Sequence, residues 1–67
     1  MPIIKVIEVI ASSNKSFDDA TRNAVKEASS TIKNIQSIYI KEMKAYVDNN
    51  EITSFGVNAL ISFEVNH

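Results

Sequence analysis

Apolar residues recur along the chain in two different rhythms, and the change from one to the other marks out its elements. Over residues 17 to 34, FDDATRNAVKEASSTIKN, the apolar and small positions are Phe17, Ala20, Ala24, Ala28 and Ile32, with Thr21 and Val25 beside them. That spacing draws one stripe down a helix of about 3.6 residues per turn. Asp18, Asp19, Arg22, Asn23, Lys26, Glu27 and Lys33 take the opposite, wet face. Ser16 is the expected N-cap, and Asp19 stands where a capping-box partner belongs. Asp18 and Asp19 put negative charge at the positive end of the helix dipole, and Lys33 puts positive charge at the other. Because the stripe is mostly alanine, a backbone can approach it closely. This helix is built to lie on a sheet.

Outside that window the period falls to two. Residues 3 to 11, IIKVIEVIA, are β-branched and too short for a helix. Ile3, Ile7, Val9 and Ala11 share one face, while Ile4, Val6, Glu8 and Ile10 share the other. Both faces are largely apolar, although a single helix can cover only one. Residues 12 to 15 are a polar link of the kind that bonds its own backbone. A second strand is expected over about residues 37 to 47, SIYIKEMKAYV, after Ile35 and Gln36. Its apolar parity switches from Ile38 and Ile40 to Met43, Ala45 and Val47, which predicts a bulge or bend near Lys41 or Glu42. Asp48, Asn49 and Asn50 form a turn, since Asp and Asn tolerate the left-handed region.

The third strand runs from about Ile52 to Asn66. Phe55, Val57, Ala59, Ile61, Phe63 and Val65 alternate without a break against Ser54, Gly56, Asn58, Leu60, Ser62 and Glu64. The order is therefore β-α-β-β, an α+β fold with a three-stranded, antiparallel-type sheet packed on one helix. Strands 2 and 3 should pair antiparallel across their tight turn. Strand 1 can lie beside strand 2 or beside strand 3. The longer, cleaner alternation of strand 3 favours placing it in the middle.

Composition changes this picture in one respect. All 67 residues form one domain, and none is a cysteine, so disulfides, thiolate zinc sites and thiol redox chemistry are excluded. A chain this short buries only about 60% of its unfolded surface and usually needs a staple. Oligomerisation is the one left, and the two-sided first strand asks for it. With 7 basic and 8 acidic residues the net charge is −1, giving no electrostatic case for nucleic acid or an anionic membrane. No apolar run approaches the roughly 20 residues of a spanning helix. The strand-like N-terminus carries no signal-peptide pattern, so the cytoplasm is the expected location.

The search for catalytic chemistry points away from an enzyme. The only histidine is His67, in the tail, and no serine or threonine has a local base. Asp18 and Asp19 are explained by the helix N-terminus. Glu42 sits where the second strand bends, and its ordinary reading is a solvated rim charge. Gly56, the only glycine, cannot make a phosphate-cradling loop and reads as a strand kink or a close backbone approach. Tyr39 and Tyr46 read as interface packing.

Taken together, VIEVIASS at 6 to 13, SFDDA at 16 to 20, STIKNI at 30 to 35 and FGVNALISFEV at 55 to 65 resemble the dodecins. These are small β-α-β-β proteins that assemble as hollow shells of twelve subunits. The resemblance runs from about Ile3 to Val65 and implies a non-catalytic, flavin-binding or flavin-storing homododecamer. It implies a ligand site at Ser37, Tyr39, Glu42, Lys44 and Gly56. In flavin-binding dodecins a tryptophan opens the second strand and stacks on the isoalloxazine ring, and a glutamine in the third strand bonds its polar edge. Here Ser37 and Gly56 stand at those positions, so binding of FMN, FAD or riboflavin should be weak or altered. The acid and the basic residue that follow the tryptophan correspond to Glu42 and Lys44. Some relatives lacking the flavin residues are described with calcium, which implies an alternative: a structural particle stabilised by ions. Glu8, Glu42, Asp48, Glu51 and Glu64 are the acids outside the helix, and their spacing matches no calcium loop.

Overall fold

The computed structural model describes residues 3–65. Strand β1 (Ile3–Ser13), helix α1 (Phe17–Ser29), strand β2 (Ile35–Asp48) and strand β3 (Glu51–Val65) follow in the expected order. They form one antiparallel sheet with β3 in the middle, flanked by β1 and β2. The expected strand end at Asn66, and His67, lie outside the described residues.

Strand β3 earns the central place by its alternation. Val57, Ala59 and Ile61 are buried, and they meet the buried Ala20, Ala24 and Ala28 of α1. Alanine on the helix side brings the helix backbone down onto branched side chains of the sheet, which suits dense packing. At one end of the seam the Phe17 and Phe55 rings meet edge to face, with centroids 4.9 Å apart.

The β1–β3 register is unbroken from Ile3↔Val65 to Ser13↔Phe55. Along β2 the register shifts three times. One shift falls between Ile40 and Glu42, leaving Lys41 as an extra residue where the parity switch predicts a bulge. Ile40 and Met43 therefore pair with Ala59 and Val57, on the same face of β3. The β2–β3 turn is confined to Asn49 and Asn50, both left-handed (φ 54° and 64°), while Asp48 still pairs with Glu51. Two such residues in a row make the primed turn that matches strand twist.

The helix departs from expectation at its C-terminal end. It stops at Ser29 rather than running to residue 34. Ser29 and Ser30 hydroxyls donate to the Lys26 and Glu27 carbonyls (2.8 and 2.7 Å), offering those groups a partner other than the next turn. The chain then leaves through a left-handed Asn34, φ 62°. Ile32 still donates its amide to the Ala28 carbonyl (2.9 Å), which keeps the apolar period in step past the helix end. Lys33 accordingly lies past the helix, and Lys26 is the basic residue of the last turn.

At the other end Ser16 is the N-cap, its hydroxyl accepting from the Asp19 amide at 2.9 Å. The reciprocal half of a capping box is replaced. Asp19 Oδ2 instead accepts from the hydroxyl of the buried Ser13 (2.6 Å), and Ser13 Oγ accepts from the Lys15 amide (2.9 Å). This ties the end of β1 to the start of α1. On the wet side, Arg22 donates to Asp18 at 2.9 Å, and that bond raises the guanidinium above its ordinary pKa. Among the described residues no helix is long and apolar enough to cross a membrane.

Candidate ligand site

The face of the sheet turned away from α1 is assembled by register. Reading across it, Val6 pairs with Ser62 and Ser62 with Ser37; Glu8 pairs with Leu60 and Leu60 with Tyr39. The next rows are Ile10, Asn58 and Glu42, then Ser12, Gly56 and Lys44. Period-two alternation along each strand puts all these side chains on one side. The bulge at Lys41 is what makes this work on β2, since without the extra residue Glu42 and Lys44 would turn to the helix side.

All five expected site residues therefore share this face, but the chain gathers only three of them. Glu42, Lys44 and Gly56 line a recess of about 240 Å³ together with Met43 and Asn58. Ser37 and Tyr39 lie further along β2, in the rows of Ser62 and Leu60, and do not line it. Asn58 Nδ2 donates to Glu42 Oε1 at 3.4 Å, so an amide and a carboxylate stand side by side at the recess. Lys44 Nζ lies 5.3 Å from the centroid of the Tyr46 ring, a cation–π distance. The bulged Lys41 reaches over the sheet to Glu8, with Nζ and Oε2 3.7 Å apart, linking the two outer strands.

Three contributors were not legible as site residues from their types alone. Asn58 reads as a small polar residue of the outward parity, and Tyr46 as packing. The Glu8–Lys41 link crosses between strands that are not neighbours, and no register readable from the sequence leads one to expect it. No sequence signal marks Tyr46, because its closeness to Gly56 follows only from the β2–β3 register, in which Tyr46 pairs with Ser54.

The remaining acids do not converge. Glu64 is near Gln36, whose amide donates to Oε2 at 3.3 Å, while Asp48 and Glu51 pair at the hairpin end. Among the described residues no three His, Cys, Asp or Glu side chains gather in a way that could hold a metal ion within one chain.

Fold and face together define a small α+β subunit, closed by a helix on one side and open on the other, with a polar recess on the open side. The sequence model of the Dodecin family matches residues 3–66, and the chain belongs to that family. Dodecin from Streptomyces coelicolor superposes with a TM-score of 0.93 at 23% identity, covering 98% of this chain and 94% of that one. Dodecin from Streptomyces davaonensis gives 0.93 at 21% identity, covering 98% and 97%. At 26% identity, calcium dodecin from Mycobacterium tuberculosis, a calcium-chelating immunodominant antigen with a novel calcium-binding site, gives 0.82 and covers 96% and 91%. No curated protein sequence matches the chain.

Proposed function

We propose that this chain is a non-catalytic subunit of a cytoplasmic homododecameric shell that binds or stores a small ligand on its helix-free face. The observation that carries this reading is the state of β1. Ile4, Val6 and Ile10 are 46%, 54% and 75% exposed, although every one of them is paired in register within the sheet. The strand is thus seated on β3 along its whole length while its apolar burial stays incomplete, and further copies of the chain supply the missing cover. A chain of 67 residues without cysteine has few other means of stabilising itself.

The ligand site of the shell comprises Ser37, Tyr39, Glu42, Lys44 and Gly56, with copies meeting so that the two outlying residues join the recess. The ligand is of flavin type, FMN, FAD or riboflavin. It is held differently from the family pattern because Ser37 offers no ring and Gly56 no amide. Losing one stacked aromatic face weakens binding by about 0.5–1.5 kcal/mol beyond area burial.

A second reading is an ion-stabilised structural particle without flavin. It is favoured by the likeness to the calcium dodecin and by the acids on the open face. Because those acids do not converge within one chain, the ion would sit where carboxylates of two copies meet. Native mass spectrometry of the purified protein, with its absorbance spectrum, separates the readings. Twelve subunits with a reproducible mass excess and flavin colour support the first. Twelve subunits that fall apart on chelation support the second, and a monomer or dimer overturns both.

A further inference from the structure

Gly56 is the only glycine of the chain, and it is buried in the middle of the central strand. Glycine weakens a strand, and this one is not required by the backbone, since its φ is not positive. What it provides is room. A Cβ built at residue 56 would lie 3.0 Å from Tyr46 Cε2 and 3.3 Å from its Oη. The cross-strand partner of Tyr46 is Ser54, so the ring leans diagonally along β3 onto Gly56, within the reach of an aromatic in a diagonal pair. Lys44 places its ammonium over the same ring. Among the described residues Lys44 forms no ion pair with a carboxylate, whereas Lys41 and Arg22 do. Tyr46 remains 43% exposed despite these contacts. Lys44 and Gly56, the two residues that hold the ring, also line the recess, and Glu42 and Asn58 line it with them.

Resting on the reading that ligand binds this face, we propose that Tyr46, which stands at the edge of the recess against Lys44 and Gly56 rather than lining it, is its aromatic binding residue. Its ring, seated in the space that Gly56 provides, stacks on a planar aromatic ligand. The Lys44 ammonium pairs with a negative group that the ligand carries, so the preferred class is a planar aromatic anion. The Asn58–Glu42 pair meets the polar edge of the ligand's ring. Gly56 is then a specificity-determining position, because a Cβ there already crowds the Tyr46 ring and a branched or longer side chain competes with it for the same space.

The test titrates FMN and riboflavin with the assembled protein, following flavin fluorescence. Wild type is expected to hold FMN more tightly than riboflavin. Tyr46→Leu should weaken both by about fivefold, the worth of one aromatic contact. Tyr46→Phe keeps the ring and should stay within about twofold of wild type. Lys44→Met should weaken FMN more than riboflavin and so remove the preference for FMN. Should Tyr46→Leu fail to assemble, Gly56→Val displaces the ring without deleting it and should weaken both ligands likewise. An assembled Tyr46→Leu or Gly56→Val protein that binds both flavins as wild type does overturns the inference and leaves the ligand-binding reading standing. Wild-type shells that bind neither flavin overturn that reading, and the inference with it.

Discussion

The two faces of this sheet are built from the same three strands, and they have been finished in opposite ways. On one, Val57, Ala59 and Ile61 of β3 are sealed under the alanine stripe of α1. On the other, one residue away along each strand, Ile4, Val6, Ile10 and Tyr39 stand in solvent beside Glu8, Glu42, Lys44 and Asn58. Strand β1 is almost equally apolar on both sides, so hydrophobicity alone does not separate a core from an interface. What separates them is whether the chain supplies its own cover. The helix face is a core the subunit completes alone, and the open face is left with an apolar half that the proposed shell would cover and a polar half that would take its ligand.

Charging the open face tests that contrast with the largest effect. Within an isolated subunit Ile10 is so exposed that Ile10→Asp should cost less than about 0.5 kcal/mol. In a shell it would bury an unpaired carboxylate, and the expected outcome is loss of the particle into aggregate or unfolded chain. Size exclusion with light scattering, alongside circular dichroism, reads both quantities. A folded monomer would show that this face is not an essential interface.

The matching change on the helix face should act through the subunit itself. Ile61 is fully buried against α1, and Ile61→Ala should destabilise the protein by about 2–5 kcal/mol. Urea unfolding followed by circular dichroism measures it. A loss below 1 kcal/mol, on the scale of a surface change, would mean that the seam relaxes around the cavity and that alanine packing is looser than the geometry indicates.

How far each face could be read from the sequence follows from the same difference. Period-two alternation at residues 55 to 65 and the alanine stripe are local patterns, and they specify strand, helix and which sides meet. Even the Lys41 bulge is legible, because a bulge inverts the parity of everything after it. The helix end is not, because Ser29, Ser30 and Thr31 are weak breakers and Ile32 keeps its amide on Ala28. The open face is harder still. That Tyr46 covers Gly56 depends on the β2–β3 register, and a third shift at the hairpin end, where Thr53 has no partner, sets that register. Non-local pairing of this kind leaves no periodic trace.

A smaller effect belongs to the junction through which α1 is fastened over its face. Ser16→Ala removes the acceptor of the Asp19 amide and should cost about 1 kcal/mol in urea unfolding. Ser16→Asp, which restores an acceptor and adds negative charge at the helix N-terminus, should recover it. Loss in both variants alike would mean that the Ser13–Asp19 link, rather than the cap, holds the helix start.

The finest distinction concerns the open face alone, where Tyr46 and any side chain at residue 56 compete for one space. Restoring the family pattern with Ser37→Trp and Gly56→Gln supplies a stacking ring and an amide. Glutamine at 56 must nevertheless push against the Tyr46 ring, which a Cβ alone already meets at 3.0 Å. Adding Tyr46→Ser should free the glutamine to reach a flavin edge. The triple variant is therefore expected to bind FMN more tightly than the double by about 0.5–1.5 kcal/mol, the net worth of a hydrogen bond and up to about tenfold. In the wild-type background the same Tyr46→Ser change should act in the opposite sense, because there the ring is the stacking surface. That reversal of sign is the decisive reading, since a tyrosine serving only to pack the strand would weaken binding in both backgrounds or in neither. Flavin fluorescence titration of the four assembled proteins measures it.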